Sequence, residues 1–539
     1  MCGLRVGRLI ELFPMNTLRW ITGWCLIGWG WAIAWAAGPL PAALVDFDDY
    51  VARVQREFNV PGIAVAVVKD GEVVFEKGYG VRELGKPEPV DAHTLFAIAS
   101  NTKAFTAAAL AILMDEGKLR WSDRVVDHLP WFQMSDPYVT REMTVQDLLV
   151  HRSGLALGAG DLLFWPATSY TTREVAERLR YVPLSMSFRS EYAYDNILYA
   201  VAGLTIEAVA GKTWGEFVRE RIFAPVGMSD TKANCLELPV GGNVATGHAL
   251  FDFKDLKPVP PLAWDNNSAA GGIYSNVHDM AKWMRVQLDG GKLPGGATLF
   301  SPARQKEMWA VVTPIKIGDP AIPSLAATKP NFLGYGHGWG LSDYRGKKIV
   351  SHTGGWPGQV SKVVLVPELK LGFVVLTNQE IGAAFQAISW RLLDAFLGAP
   401  ETDWVAAYAQ AVKRGADNAD ESWAKHVAAR DQAAKLSLPL ARFAGTYRDA
   451  WYGDVVVNDD AGRLVLQFSK TAQLLGDLEH WQHQTFIVRW RDRSLNADAF
   501  VSFELTPDGE VESAKMEAIS PLTDFSFDFH DLKLLRVAR

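Results

Sequence analysis

Apolar positions cluster at both ends of a long, helix-patterned middle. The runs at 63–68 and 73–79 flank Lys69-Asp70-Gly71-Glu72, which predicts two antiparallel strands joined by a tight turn. Small and apolar residues at helical spacing follow from Ser100, run through 104–113 and close at Gly117. Later, 338–341, 348–352, 360–366 and 372–377 read as returning strands, and 388–397 as a last helix packed on them. Strands at both ends with helices between predict an α+β domain whose antiparallel sheet is assembled from the two chain ends. Residues 401–436 are Ala- and charge-rich with little strand signal, which predicts a helical linker. From 437 the pattern becomes short strands at 453–457, 463–468, 485–490, 499–505 and 511–518. Thr506-Pro507-Asp508-Gly509 supplies a hairpin turn between the last two, and the whole predicts a small all-β sandwich or barrel. The expected organisation is a leader over 1–36, a main domain over 37–400, the linker over 401–436 and a β domain over 437–539.

The leader carries its own signal. Arg19 precedes an apolar run at 20–37, and Ala34-Trp35-Ala36 is a small-x-small cleavage pattern, so the chain is expected to be exported, periplasmic or secreted. Met15 is an alternative start. An uncleaved anchor is the alternative fate, because the run approaches the roughly 20 residues that span a bilayer; the membrane enters the picture only there. The 539 residues, 49% of them hydrophobic, suffice for a large core. Net charge is −7, and the leader's +2 leaves the remainder near −9. No basic block or aromatic-basic alternation points to nucleic acid. Cys2 and Cys25 lie in the leader, so Cys235 stands alone, against both a structural disulfide and a cysteine zinc site.

Ser100 and Lys103 are the first candidates for chemistry. An apolar segment ends at the serine and a helix begins there, which sets the lysine one turn along on the same face. A serine hydroxyl needs an adjacent base, and a desolvated lysine loses proton affinity and can be one. The spacing alone is weak, since Ser229/Lys232 and Ser422/Lys425 share it. The order of the motifs singles Ser100 out: Tyr194-Asp195-Asn196 follows, then His352-Thr353-Gly354-Gly355. With the flanks Val60-Pro61-Gly62-Ile63, Leu148-Leu149-Val150-His151-Arg152-Ser153-Gly154 and Gly271-Gly272-Ile273-Tyr274, the chain over about 45–395 resembles the serine β-lactamase and penicillin-binding protein superfamily, in its class C-like branch of exported serine hydrolases. Gly445-Thr446-Tyr447, Trp451-Tyr452-Gly453-Asp454, Leu478-Glu479-His480-Trp481 and Asp524-Phe525-Ser526-Phe527-Asp528 resemble the lipocalin-like domain appended to that branch.

The resemblance implies roles. Ser100 becomes the nucleophile, Lys103 and Tyr194 the proton-transfer groups, and Asn196 a residue that holds Lys103 or the substrate carbonyl. The N–H groups of Ser100 and Gly355 become an oxyanion hole, with Gly354 and Gly355 small enough for substrate to approach. Whether Lys103 or Tyr194 takes the serine proton stays open at this level. Tyr274-Ser275-Asn276 is a decoy for the tyrosine motif. His352 stands where the family also uses lysine. A histidine is only part charged near neutral pH, which weakens the case for a dedicated β-lactamase or transpeptidase and favours esterase, amidase or D-amino-acid peptidase activity. His151 is expected to end a helix at Gly154, and His337 is a cleft candidate without a role. No His-Glu-x-x-His or Gly-x-Ser-x-Gly is present, against zinc and α/β-hydrolases. No cofactor or metal is expected. The expected substrate is a small molecule or short peptide: an ester, amide, D-amino-acid peptide or β-lactam. A penicillin-binding or sensor-type protein that acylates without efficient turnover is the alternative. The β domain leaves open a homo-oligomer interface, and its aromatic residues Trp451, Tyr452, Trp481, Phe525 and Phe527 are expected in the barrel core.

Overall fold

The computed structural model describes residues 41–537; the leader and its cleavage pattern lie outside them. Among these residues no helix is long and apolar enough to cross a membrane. The described residues form one compact unit.

The predicted opening hairpin is present. β1 (Gly62–Lys69) and β2 (Glu72–Gly80) pair antiparallel, and Asp70 (φ 52°) and Gly71 (φ 84°) make the two-residue turn that matches strand twist. Short strands follow: β3 (Phe96–Ala97), β4 (Gly247–Phe251), β5 (Asp255–Val259), β6 (Tyr274–Ser275), β7 (Thr313–Pro314) and β8 (Leu333–Tyr335). The returning strands are β9 (Gly340–Tyr344), β10 (Lys347–Trp356), β11 (Gln359–Val366) and β12 (Leu371–Thr377). They form one eight-stranded antiparallel sheet in the order β2-β1-β12-β11-β10-β9-β8-β7, so the two chain ends meet where β1 pairs with β12.

β1 reads as a continuous apolar run because it is inside the sheet and covered on both faces. Ala64, Ala66 and Val68 join one core, and Ile63, Val65 and Val67 join the other. The second core is closed by α1 (Phe47–Phe58), α5 (Gly382–Leu397) and α6 (Trp404–Ala429). The first contains α2 (Thr102–Asp115), α3 (Ile197–Ala210) and α4 (Val277–Leu288). The predicted helical linker is thus α6, whose N-terminal turns dock on the main sheet's outer layer through Trp404, Val405 and Ala407.

The β domain is a closed eight-stranded antiparallel barrel, β13 (Gly445–Asp449), β14 (Gly453–Asp460), β15 (Arg463–Phe468), β16 (Leu475–Gln482), β17 (Thr485–Trp490), β18 (Ala499–Leu505), β19 (Val511–Ala518) and β20 (Leu534–Arg536), with β20 closing on β13. Its interior is filled by side chains such as Phe443, Tyr447, Phe486, Trp490 and Phe503. The sequence reading lacks β13, β16 and β20. β16 carries Asp477 and Glu479, which depress strand propensity, and is held instead by pairing to β15 and β17. Trp451, Tyr452 and Phe527 are buried as expected, but Phe525 is not barrel core: it is 41% exposed and faces the main domain.

Barrel and main domain share one apolar core. Polar contacts fix their register: Arg178 donates to Trp451 O at 2.7 Å, and Asn496 Nδ2 to Leu250 O at 2.6 Å. Asp528, fully buried, accepts from the backbone N–H of Gly160 (2.7 Å) and of Leu162 (3.2 Å). Asp528→Ala leaves both N–H groups buried without acceptors, at a cost of about 1–3 kcal/mol. The expected result is a lower urea midpoint with unchanged far-UV circular dichroism; an unchanged midpoint would remove Asp528 as a domain clamp.

Candidate active site

Ser100 lies in a single 3₁₀ turn, Ala99–Asn101, that feeds α2. Ala99 is in left-handed backbone (φ 46°), a conformation that costs energy for a residue with a β-carbon. β10 and β11 hold the turn in place. Ser361 Oγ donates to Ile98 O (2.7 Å) and accepts from Asn101 Nδ2 (2.8 Å), while Ala97 N donates to Gln359 Oε1 (2.8 Å). Gly354 has to be glycine, since a β-carbon there would stand 2.2 Å from Ile98 O.

Lys103 is fully buried one turn along, and its Nζ contacts Ser100 Oγ (3.0 Å), Asn196 Oδ1 (2.7 Å) and Ala270 O (3.2 Å). Burial pushes its pKa down to about 7, against a partial upward pull from Asp161 and Asp195. A neutral amine has two N–H groups, enough for Asn196 and Ala270, and one lone pair, which is left for the Ser100 O–H.

Tyr194 and Asn196 lead into α3. That helix is apolar nearly all round, not amphipathic as its opening residues suggest, because it runs inside the core. The Tyr194 ring lies 4.8 Å from Lys103 Nζ. Burial raises the phenol well above its ordinary value, so it is a protonated donor, although the Ser100 hydroxyl eases the phenolate form. Asn196 uses both ends of its amide: it accepts from Lys103, and Nδ2 donates to Asp161 Oδ2 (2.8 Å). Tyr274 is buried in β6 and stays outside the cleft.

His352 is placed beside this group, its ring 6.3 Å from that of Tyr194. It differs from the sequence expectation in charge. Burial, then the charge of Lys103, pushes its pKa down to about 3, so it is neutral at physiological pH. Nδ1 donates to Thr353 O (2.6 Å), and Nε2 accepts from Tyr335 OH (2.7 Å). Gly355 follows on β10. The two-residue turn at 357–358 closes on Trp356 and Gln359, which makes Gly355 opposite Val360 a non-hydrogen-bonded pair. Its N–H therefore points away from β11, past the end of β9, into the cleft it lines.

The two other histidines singled out by the sequence, His151 and His337, do not line the cleft. His151 sits in a turn at φ 55°, not at a helix end, and accepts from Asp195 N at 3.2 Å. His337 stacks on Trp121 at 4.2 Å and does not line the cleft.

Sequence reasoning missed several groups. The cleft, of about 380 Å³, has aromatic walls from Trp165, Tyr192, Trp264 and Tyr335. Asp161, fully buried behind Asn196, also accepts from Ser526 Oγ of the barrel domain (2.8 Å); burial raises its pKa to about 8. Asp524, Phe525 and Ser526 line the same cleft as Ser100. No motif spacing marks these residues; the only signal is the polar-aromatic run at 524–528 itself.

Comparison with known proteins fits this arrangement. The Beta-lactamase family model matches residues 47–397, and a domain of unknown function, DUF3471, matches 429–536. The chain belongs to the beta-lactamase family. Among curated proteins it is 30% identical over 487 residues to unguisins hydrolase ungD' of Aspergillus campestris, covering 86% of this chain and 87% of that one. It is 31% identical over 342 residues to penicillin-binding protein 4 of Amycolatopsis lactamdurans, covering 62% and 84%. The octameric penicillin-binding protein homologue from Pyrococcus abyssi shares the fold over 91% of this chain and 99% of that one, at TM-score 0.57 and 21% identity. The D-amino acid amidase from Ochrobactrum anthropi shares it over 66% and 100%, at TM-score 0.52 and 23% identity.

With a pKa near 3, the His352 imidazole should keep its neutral ¹⁵N chemical shifts from pH 8 to pH 5, whereas an ordinary histidine changes across that range. A His352 titration centred near 6.5 would show that the site is wetter than its packing.

Proposed function

We propose that the protein is an exported serine hydrolase that works through an acyl-enzyme on Ser100. The observation that carries the reading is a fully buried lysine, with a pKa near 7, whose Nζ lies 3.0 Å from a hydroxyl that opens onto a cleft. Neutral Lys103 takes the Ser100 proton as Oγ attacks the acyl carbon. The backbone N–H groups of Ser100 and Gly355 receive the oxyanion. Tyr194 gives its proton to the leaving group and regains one from the Lys103 ammonium. Water then attacks the acyl-enzyme; its proton passes to the same base, Ser100 leaves protonated, and the acid is released. This divides the roles left open by the sequence: lysine as base, tyrosine as donor, because burial lowers the one pKa and raises the other.

Amides and esters with an apolar or aromatic acyl part suit the cleft walls. The hydrolase and amidase names among the relatives support that class. Neutral His352 offers no fixed cation for a carboxylate, which weighs against a dedicated β-lactamase. Export rests on the leader's charge and apolar pattern.

Ser100→Ala should abolish turnover and fluorophosphonate labelling in a folded protein; label that persists moves the nucleophile elsewhere. A burst of acylation without a steady state would instead identify a sensor-type protein. Tyr194→Phe should lower kcat by on the order of 10²–10⁴, far more than Tyr274→Phe, and the reverse ranking would reassign the proton donor. The kcat/KM profile should rise with pH through an inflection near 7, because the base must be unprotonated. A flat profile from pH 6 to 8 would exclude Lys103.

A further inference from the structure

The segment at 524–528 belongs to the barrel domain, between β19 and β20, yet it closes one side of the Ser100 cleft. Its position is fixed at several points. Asp528 caps Gly160 and Leu162, and Ser526 Oγ bonds Asp161 at 2.8 Å. Phe525 meets the Tyr194 ring edge-on at 6.0 Å. Gly158 gives it room, since a β-carbon there would lie 2.7 Å from the Phe525 ring. Asp524 is thereby carried to the cleft wall. One carboxylate oxygen accepts from Ser526 N at 2.8 Å, and the side chain is otherwise exposed to the cleft.

Among the described residues that line the cleft, Asp524 is the one acid; the rest are aromatic, aliphatic, hydroxyl or amide side chains, glycines and a neutral histidine. Among the described residues no lysine or arginine lines it. Lys103 lies behind Ser100, bonded to Asn196, with Asp161 one residue beyond. Two more carboxyls stand near Asp524, Asp161 and Glu380 beside Gly358; burial raises their pKa values to about 8 and about 7 and raises that of Asp524 too, so each gains from a cation placed beside it. A substrate carboxylate entering here meets a like charge and no counter-ion, whereas an ammonium meets an acceptor with lone pairs to spare.

We propose that Asp524 is the specificity-determining residue of the Ser100 cleft, selecting acyl substrates that carry a cationic group, such as the free ammonium of an aminoacyl ester or amide, over substrates that carry a carboxylate. The proposal rests on the hydrolase reading of Ser100. It makes the barrel a contributor to substrate choice and not an appended module. Ser100 and Asp524 line one cleft of about 380 Å³, so a single small substrate can meet both.

The test uses the full chain and three p-nitroanilides of phenylalanine, in both hands: the free amine, the N-acetyl form and the N-succinyl form. In the wild type, kcat/KM should fall in that order. Asp524→Asn keeps an oxygen to accept from Ser526 N and removes only the charge. It should lower the amine-to-succinyl ratio about tenfold or more, the scale of one charge-assisted hydrogen bond. Asp477→Asn, an exposed barrel residue paired with Arg491, should leave the ratio where it was. An unchanged ratio in Asp524→Asn, or a wild type that prefers the succinyl form, overturns the proposal. A second measurement needs neither turnover nor a variant: benzylamine should protect Ser100 from fluorophosphonate at lower concentration than phenylacetate does. Equal or reversed protection also overturns it. Failure of the wild type to label at all would instead count against Ser100 as nucleophile.

Discussion

The site depends on how Lys103 is kept dry. Water holds an ammonium far better than a protein interior does, so a lysine enclosed by α2, α3 and the 268–271 turn gives up proton affinity until its pKa nears 7. The carboxylates of Asp161 and Asp195 limit the fall. Asn196 spaces Asp161 from the amine with one amide, so Lys103 is steadied without being locked into an ion pair. The same burial lowers the pKa of His352, which stays a neutral imidazole, and acts with the opposite sign on Tyr194, which stays a protonated phenol. One physical cause thus sets three protonation states in one cleft.

Geometry is the second constraint. The Ser100 turn needs Ala99 in a left-handed conformation, and the cleft needs β10 close enough to face it. Ser361 and Gln359 on β11 hold the turn, and the absence of a side chain at Gly354 permits the approach. Beyond this point the sheet's hydrogen bonding leaves Gly355 N–H unpaired in the ladder, aimed at the cleft. The strain at Ala99 is sustained because strands from the far end of the chain over-determine its position.

The barrel completes the enclosure. Its own interior is filled, and it reaches the Ser100 cleft through the segment at 524–528, outside the barrel wall. That segment brings a carboxylate, an aromatic ring and a hydroxyl to a cleft otherwise built by the main domain, and it is held by the continuous core and by Asp528.

Much of this was legible in the residues. Local patterning located the opening hairpin, the returning strands and five barrel strands, and an Ala- and charge-rich composition marked 401–436 as helical, because each of these signals is carried by neighbouring residues. Resemblance to the family's motif order singled out Ser100, Lys103, Tyr194, Asn196 and the His352–Gly355 run, and for Ser100 and Lys103 helix spacing adds a local reason, since residues three apart share a face. Strands β13, β16 and β20 were not legible, since their pairing partners and not their composition make them strands. Nor was the neutrality of His352, which follows from burial, nor the presence of Asp524 and Ser526 in the Ser100 cleft with Asp161 behind Asn196. Sequence by itself determined which side chains were available and how they repeat along each element. Which carboxylates and rings from opposite ends of the chain share one dry cleft was decided only by tertiary packing, because desolvation and approach distance belong to the folded space around a residue and not to its neighbours in the chain.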